Sequence, residues 1–244
     1  MMLENRVILI TGAAGGLGST AAIELARQGA TIILLDKNLP KLETVYDAIL
    51  AQSHVEPILY PFDLAGASEA DYIELAARIE EKYGMLHGLL HGAVELSAFT
   101  PLIQFDTKAW GHTLNVNVNA PFILTRELLP VMQKAPLASI VFISDAAARQ
   151  SPAYFGAYGV SKVAMESLAH ILSQELSGGG KVRVNTLIPG AIDSPLRRRA
   201  YPAENKSQLP AMTTLNPLFC YLLGDESLGV TGQCIDAHHF LHSF

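Results

Sequence analysis

Short apolar runs recur along the chain, and longer stretches with apolar residues at helical spacing separate them. Runs without alternation are typical of strands in a parallel sheet, because helices cover both faces of such a sheet. The runs predict seven strands, at residues 7–11, 31–35, 57–60, 86–91, 139–144, 182–187 and 233–236. The amphipathic stretches predict helices at residues 17–28, 39–51, 68–83, 121–132 and 158–176.

Alternation of strands and helices at this spacing predicts an α/β fold with a doubly wound parallel sheet of about seven strands. No repeat, low-complexity tract or linker divides the chain, so we expect a single domain over residues 1–244. Residues 193–210 are polar and contain Pro195, Pro202 and Pro210. This composition predicts a mobile loop over a ligand.

The composition narrows the classes of partner. Half of the residues are hydrophobic (50%) and 16% are charged, against roughly 25% charged residues in an average soluble protein. Covered sheet faces or subunit contacts would explain the low charge. The formal net charge is -6, and the basic residues are scattered apart from Arg197, Arg198 and Arg199. We therefore expect no nucleic-acid partner, and this arginine run is either a solvated loop face or a contact for an anionic substrate group.

Cysteines and histidines do not form a recognisable metal pattern. Cys220 and Cys234 lack the spacing of a disulfide framework or zinc site, and are expected to be small core residues. His238, His239 and His242 are not joined by Cys, Asp or Glu at a ligand spacing, so no metal is expected. No apolar stretch approaches the ~18 residues of a membrane span. We expect a cytoplasmic protein without a membrane partner.

A glycine-rich turn follows the first predicted strand. Thr11, Gly12, Gly16 and Gly18 match the pattern TGxxxGxG between an apolar strand and a helix. In this position, backbone N–H groups at the helix N-terminus can face a pyrophosphate. Gly12 would permit the tight turn, Gly16 the approach to phosphate, and Gly18 the packing of helix on strand. The turn predicts a Rossmann dinucleotide site, and a purely structural turn is the alternative.

An acidic residue follows the second predicted strand. Asp36 lies about 20 residues beyond the glycines, where a carboxylate can bind the ribose diol of NAD. It would repel the 2′-phosphate of NADP, although Lys37 could partly offset this, so NAD is preferred and NADP stays open. Asp63, after the third predicted strand, either meets the adenine ring or is a helix N-terminal acid.

Tyr158 and Lys162 are four residues apart on one face of a predicted helix. A lysine ammonium beside a phenol stabilises the phenolate and lowers the tyrosine pKa. Such a pair can exchange a proton with an alcohol or carbonyl oxygen.

Together, TGxxxGxG and this YxxxK pair make the chain resemble the classical short-chain dehydrogenase/reductase family over nearly its whole length. The segments 116–120 and 156–162 most resemble those of a bacterial subgroup of oxidoreductases with poorly defined substrates. The resemblance implies NAD(P)-dependent hydride transfer between nicotinamide and an alcohol or carbonyl substrate. It also implies a homodimer or homotetramer that assembles through helices 120–132 and 158–176.

The resemblance assigns further roles. Tyr158 would be the acid/base, and Asn117, seven residues after Trp110, would hold a relay water near Lys162. The Ile192 backbone and Ser194 hydroxyl would hold the nicotinamide carboxamide. The motifs and the resemblance together place these residues at the cofactor: Gly12, Gly16, Leu17, Gly18, Asp36, Lys37, Asp63, Leu64, Gly92, Tyr158, Lys162, Pro189, Gly190, Ile192 and Ser194.

The chain departs from the family at the catalytic serine. Asp145 stands in that position, 13 residues before Tyr158. A serine would donate a hydrogen bond to the growing oxyanion, which only a protonated aspartate could imitate. A charged Asp145 would instead raise the Tyr158 pKa. Ser144 is the alternative donor, if a bulge turns it inward. The substitution also leaves open a nucleotide-binding protein with little catalysis, such as a sensor or an assembly subunit.

A second departure lies at the end of the fourth predicted strand. His91 and Gly92 stand where the family carries a pair of asparagines, and Ala93 keeps its register. Gly92 would still let the backbone approach the cofactor ribose. His91 is either a core histidine, which is the preferred interpretation, or a polar contact or ligand.

Overall fold

Seven parallel strands form one sheet in the order β3-β2-β1-β4-β5-β6-β7. The structure is a computed structural model that describes residues 1–241. The strands are β1 Val7–Thr11, β2 Thr31–Asp36, β3 Ile58–Pro61, β4 Gly88–His91, β5 Ala138–Ile143, β6 Val182–Ile188 and β7 Cys234–Asp236. The predicted single-domain α/β Rossmann fold with a seven-stranded parallel sheet is confirmed.

Helices lie on both faces of the sheet. They are α1 Gly16–Arg27, α2 Leu39–Leu50, α3 Glu69–Tyr83, α4 Thr107–Leu114, α5 Ala120–Met132, α6 Ala146–Arg149, α7 Gly156–Leu176, α8 Pro195–Ala200, α9 Asn216–Leu223 and α10 Ala237–Leu241. Polar side chains start several of them, because the first N–H groups of a helix lack backbone partners. Asn38 accepts from the Lys41 N–H at 3.1 Å and Asp106 from the Ala109 N–H at 2.7 Å. None of the helices described is both long enough and apolar enough to cross a membrane.

The sheet separates two apolar layers. Ile8 and Ile10 of β1 point into a core that includes side chains of α1, α2 and α9. Val7 and Leu9 point to the opposite core, with side chains of α3, α5 and α7. Alternate residues of a strand face opposite sides of the sheet. Because a core covers each side, β1 is buried at every position. This explains why most positions of the inner strands are apolar.

Residues 193–210 contain regular structure that the sequence does not predict. They contain α8, and Asp193 forms an isolated parallel bridge with Ala211. The arginines of α8 each meet a carboxylate, with Arg197 bound to Glu204, Arg198 to Asp193, and Arg199 3.5 Å from Glu95. These ion pairs are not evident from the local sequence, and the mobility expected for this segment stays a prediction.

The two cysteines occupy different environments. Cys220 is buried in the α9 layer, as expected. Cys234 is exposed at the start of β7, where the Arg149 guanidinium contacts its Sγ. The expectation of a core residue was wrong for Cys234, because β7 is the edge strand of the sheet.

The strand order positions the ligand site. The chain runs outward from β1 to β2 and β3, then returns to β4 on the other side of β1. In open parallel sheets, ligands bind at the carboxyl ends of the strands where this reversal occurs. Thr11, His91 and Ile143 end three neighbouring strands at this edge.

Candidate active site

Two adjoining cavities follow the carboxyl edge of the sheet, and both are lined by Gly92 and Val94. The larger cavity has a volume of about 310 Å³ and contains Tyr158 and Lys162. The smaller has a volume of about 170 Å³ and contains Asp36. The arrangement suits an elongated ligand that passes from one cavity to the other.

The glycine turn has room for backbone only. Gly12 has a φ of +66°, and a Cβ there would lie 2.6 Å from the Ala93 backbone. A Cβ at Gly18 would lie 2.1 Å from the Gly12 carbonyl oxygen. Since real Cβ atoms do not approach this closely, both positions require glycine. Their expected roles in the turn and in the packing of the helix agree with this geometry.

Gly16 makes room for another part of the chain. A Cβ there would lie 2.7 Å from Cδ of Pro195 and 2.8 Å from Sδ of Met212. The sequence predicts that Gly16 lets the backbone approach a phosphate, and the described contact is instead with the segment that carries α8. Gly16 and Leu17 open α1, and Leu17 lines the larger cavity.

The N-terminus of α1 fits the pyrophosphate of a dinucleotide. No side chain in residues 1–241 caps it, and its first turn holds no acidic residue. The free N–H groups and the helix dipole therefore favour an anion at this point.

Asp36 is already bound to backbone. Its Oδ2 accepts from the Ala14 N–H at 3.2 Å and its Oδ1 from the Asn38 N–H at 3.0 Å. The carboxylate thus connects β2 with the glycine turn, and it still lines the smaller cavity beside the exposed Lys37.

Asp63 and Leu64 line the same cavity. Asp63 Oδ1 accepts from the Ala65 N–H at 3.1 Å, and Leu64 is buried. The interpretation of Asp63 as a helix N-terminal acid was wrong, because Ser68 and Asp71 form the capping box of α3. Both residues therefore stay candidates for contact with the adenine end of a dinucleotide.

Tyr158 and Asp145 meet in the larger cavity. The Tyr158 hydroxyl donates to Asp145 Oδ2 at 2.7 Å, and Asp145 Oδ1 accepts from the Ala147 N–H at 2.8 Å. The Ser144 hydroxyl donates instead to Glu166. The proposal that Ser144 replaces the family serine at Tyr158 is not supported, because β5 has no bulge and successive side chains point apart.

The electrostatics at Tyr158 differ from the expectation for a tyrosine–lysine pair. Burial raises the pKa of Tyr158 well above its usual range, and the negative charge of Asp145 raises it further. Lys162 donates to the Ile143 carbonyl at 2.8 Å, and its Nζ lies 5.8 Å from the Tyr158 ring centroid. Burial lowers the pKa of Lys162 to about 8. The expected lowering of the Tyr158 pKa by Lys162 is not found, because burial and Asp145 shift that pKa upward.

Asn117 is a fixed, buried side chain in a π-helical turn, Asn115–Asn119. Its Oδ1 accepts from the Glu95 N–H at 2.7 Å, and its Nδ2 donates to the Glu95 carbonyl and to Ser161, each at 2.9 Å. The π turn directs Asn117 into the structure, as such turns often do at functional sites. These bonds connect the irregular segment after β4 with α7, and the water-holding role of Asn117 stays a prediction.

The expected nicotinamide residues line the larger cavity, namely Pro189, Gly190, Ile192 and Ser194. Gly190 has a φ of +74°, a conformation that favours glycine. Ser194 Oγ accepts from the Arg197 N–H at 3.2 Å and so begins α8. Its hydroxyl proton is left to donate to a ligand.

His91 is a core residue. It is buried, stacks on Phe142 with ring centroids 4.5 Å apart, and hydrogen-bonds through Nε2 to Thr125 at 2.8 Å. Burial lowers its pKa to about 3, so the ring is neutral. Beside it, Thr11 Oγ1 accepts from the N–H groups of Gly92 and Ala93 at 3.2 Å and thereby connects β1 with β4.

Several residues of the site were not predicted from the sequence. Glu166 follows Lys162 by four residues on α7 and binds both Ser144 and Arg149. A spacing of four residues places Glu166 on the same helix face as Lys162, so the sequence could have indicated it. Phe99 and Tyr201 line the cavity from separate loops, with ring centroids 5.9 Å apart, and the sequence gives no sign of that contact.

The C-terminal histidines do not gather around a metal position. The N–H groups of His238 and His239 face Asp236 Oδ1, at 2.9 and 3.4 Å. His242 lies outside the described residues. Within residues 1–241, no three His, Cys, Asp or Glu side chains form a group that could hold a metal ion.

Comparison with known proteins identifies the family. The family model of the short chain dehydrogenases matches residues 6–205. The chain belongs to the short chain dehydrogenase family. It is 37% identical to the uncharacterized oxidoreductase YciK of Escherichia coli K12, over 97% of this chain and 93% of the relative. The resemblance to oxidoreductases with poorly defined substrates is thereby confirmed.

Solved structures agree with this assignment. A short chain dehydrogenase from Pseudomonas syringae is 42% identical and superposes with a TM-score of 0.94, over 97% of this chain and 96% of that chain. One from Shigella flexneri, complexed with NADP, is 37% identical with a TM-score of 0.94, over 97% and 98%. A nicotinamide cofactor is therefore supported, and the expected preference for NAD over NADP is not.

Proposed function

We propose that this protein transfers a hydride between a nicotinamide cofactor and the carbon of an alcohol or carbonyl substrate. The observation that carries the proposal is the position of the Tyr158 hydroxyl. It faces a cavity at the carboxyl edge of the sheet, where the strand order reverses, and Lys162 follows Tyr158 by one helical turn on α7. The bound cofactor would supply or accept the hydride. Tyr158 would transfer the proton at Oη. Asn117 would fix the surrounding backbone, and Lys162 would provide a positive charge near the phenol.

NADP(H) is the form of the cofactor that we propose. Both oxygens of Asp36 accept backbone N–H bonds, which disperse part of its negative charge. Lys37 is exposed beside it at the smaller cavity, where an ammonium can meet a 2′-phosphate. The Shigella flexneri relative complexed with NADP supports the same choice.

Lys37→Ala tests this cofactor preference. Loss of one charged contact is expected to raise the Kd for NADPH roughly tenfold and leave the Kd for NADH unchanged. Fluorescence titration of both cofactors measures this. Lys41→Ala, which removes another exposed lysine on α2, is the control and should change neither Kd. The proposal is contradicted if the wild-type protein prefers NADH and Lys37→Ala has no effect. Asp36 would then bind the ribose diol, as expected from the sequence.

The alternative of a nucleotide-binding protein without catalysis has no support from the comparisons. It rested on Asp145 alone, and the relative that covers most of this chain is called an oxidoreductase. The cytoplasmic location expected from the sequence stays a prediction.

Assembly into a homodimer or homotetramer is also proposed. The outer faces of α5 and α7 carry exposed apolar side chains, namely Phe122, Val160, Val163 and Ile171. Side chains of this size on neighbouring helices are typical of a surface that another subunit covers.

Glu substitutions at Phe122 and Val163 are expected to reduce the assembly to monomers, because each would bury a charge in the contact. Light scattering after size exclusion gives the mass. Ile73→Glu on α3 replaces a similarly exposed apolar residue outside these two helices and should leave the mass unchanged. A wild-type monomer, or a double variant that keeps the wild-type mass, contradicts this proposal.

A further inference from the structure

Asp145 places a carboxylate in the substrate cavity without a direct salt bridge to a basic side chain of residues 1–241. Both of its oxygens accept hydrogen bonds, one from the Ala147 N–H and one from the Tyr158 hydroxyl. The charges of Lys162 and Arg197 act on Asp145, but neither side chain forms an ion pair with it. Arg197 pairs with Glu204, and Lys162 donates to the Ile143 carbonyl. Within residues 1–241 no Lys, Arg or His forms an ion pair with Asp145.

A simple ketone does not suit this arrangement. Its oxygen can only accept hydrogen bonds, and the single Tyr158 proton is held by Asp145. Turning that proton to the ketone would leave the Asp145 charge without its phenol donor and beside a growing oxyanion. Both effects oppose the reduction.

We propose that the site acts on 1,2-amino ketones and the corresponding 1,2-amino alcohols, with the substrate ammonium on Asp145 and its oxygen on Tyr158. This inference rests on the proposed hydride transfer. The Tyr158 hydroxyl and Asp145 Oδ2 are 2.7 Å apart, a spacing that suits substrate groups on adjacent carbons.

The exchange of donors makes the substrate fit. The ammonium group replaces the phenol as the donor to Asp145, and the freed Tyr158 proton turns to the carbonyl oxygen. The number of hydrogen bonds is kept, and the carboxylate gains a positive partner that cancels its repulsion of the oxyanion. Asp145 thereby becomes a residue that selects the substrate.

The reaction balances with the proposed cofactor alone. In reduction, the carbonyl carbon accepts the hydride of the reduced nicotinamide, the C=O π pair moves to oxygen, and oxygen takes the Tyr158 proton. Solvent returns a proton to the phenolate. The products are the amino alcohol and the oxidised cofactor, and the ammonium group stays protonated throughout.

The other walls of the cavity favour an apolar substituent on the substrate. Leu96, Phe99 and Leu196 are among the residues that line it. Phe99 stacks on Phe155 with ring centroids 4.6 Å apart, which fixes its orientation. A phenyl group is therefore a suitable probe.

The first experiment compares two ketones on the wild-type protein with NADPH. The value of kcat/KM for 2-amino-1-phenylethanone is expected to exceed that for acetophenone by roughly 100-fold, since one ketone leaves a buried polar group unpaired. The N-acetylated amino ketone has no charge and should react as poorly as acetophenone. Equal values for all three ketones would overturn the inference and leave the proposed hydride transfer standing.

Variants at Asp145 test whether this residue causes the preference for the amino ketone over acetophenone. Asp145→Asn and Asp145→Ser should both lose the preference for the amino ketone, and Asp145→Ser should raise activity on acetophenone roughly tenfold by restoring a donor. Asp47→Asn removes an exposed carboxylate on α2 and should keep the wild-type ratio. A ratio that survives in both Asp145 variants would assign amine recognition elsewhere and overturn the inference.

A binding measurement separates this inference from the proposed function. Calorimetry with 2-amino-1-phenylethanol and oxidised cofactor should give a Kd that rises roughly tenfold in Asp145→Asn. In Tyr158→Phe the competing phenol donor is gone, so the amino alcohol should bind at least as tightly as to wild type. If no variant turns over any substrate but this pattern of binding holds, the proposed function fails and the amine site stands. If the amino alcohol binds no better than 1-phenylethanol, the amine site fails.

Discussion

Tyr158→Phe is expected to lower kcat/KM for the best substrate by about 1000-fold. The substitution removes one oxygen atom and with it the proton that the site would deliver to the substrate. Tyr158 is buried beside Asp145, so water cannot easily replace its hydroxyl. Steady-state assays with saturating cofactor, together with the thermal midpoint of the free protein, measure the effect.

Tyr154→Phe is the matched control for this prediction. Tyr154 is 57% exposed on the loop before α7. Within residues 1–241 its one hydrogen bond is at the backbone carbonyl, which accepts from the Thr100 N–H at 3.0 Å. Its loss of a hydroxyl should leave the kinetics within about twofold of wild type. A comparably small effect in Tyr158→Phe would remove Tyr158 from the proton transfer and refute the proposed acid/base.

The charges around Tyr158 also affect the direction of proton movement. Because burial and Asp145 both raise its pKa, Tyr158 is a phenol rather than a phenolate at neutral pH. It is thus prepared to donate a proton in reduction, and a substrate cation on Asp145 would be needed to ease deprotonation in oxidation. Lys162, with a pKa of about 8, loses its positive charge as the pH rises above that value.

The sheet could be predicted because most positions of its strands are apolar. β1 is predicted to the residue, whereas β4 begins at Gly88, two residues later than expected. Leu86 continues the apolar run, but its N–H donates to the Val131 carbonyl, outside the sheet. An apolar pattern reports burial, and it does not report which hydrogen bonds a buried residue makes.

The candidate site could be predicted where its residues are close in sequence. The spacing of Tyr158 and Lys162 on one helix, and of Gly12 and Gly18 in one turn, is local information. The sequence could weigh Asp145 against Ser144 but could not decide between them, because the answer depends on Glu166 receiving the Ser144 hydroxyl. Order in α8 depends on contacts as distant in sequence as Arg199 with Glu95.

Gly18→Ala is expected to unfold more easily than wild type, by about 3 kcal/mol, and to lose cofactor binding. The added Cβ would lie 2.1 Å from the Gly12 carbonyl oxygen, and neither backbone segment can move far. Gly12 itself has a φ of +66° and lies against the Ala93 backbone, so the turn cannot open on that side. Any shift that relieves the contact therefore moves the N–H groups that face the pyrophosphate. Urea unfolding of the free protein and fluorescence titration with NADPH measure the two effects separately.

Gly111→Ala is the control, and its expected change in the free energy of unfolding has the opposite sign. Gly111 lies within α4, and a Cβ there would meet no atom within 4 Å. Alanine should therefore stabilise the protein by about 0.5 to 1 kcal/mol through its greater helix propensity, with no change in cofactor affinity. If Gly18→Ala were as stable as wild type and bound NADPH normally, α1 could shift away from β1, and the glycine turn would not be the rigid cradle that its geometry indicates. If it were destabilised but kept its affinity, the glycines would serve the packing of α1 alone, which was the structural alternative for this motif.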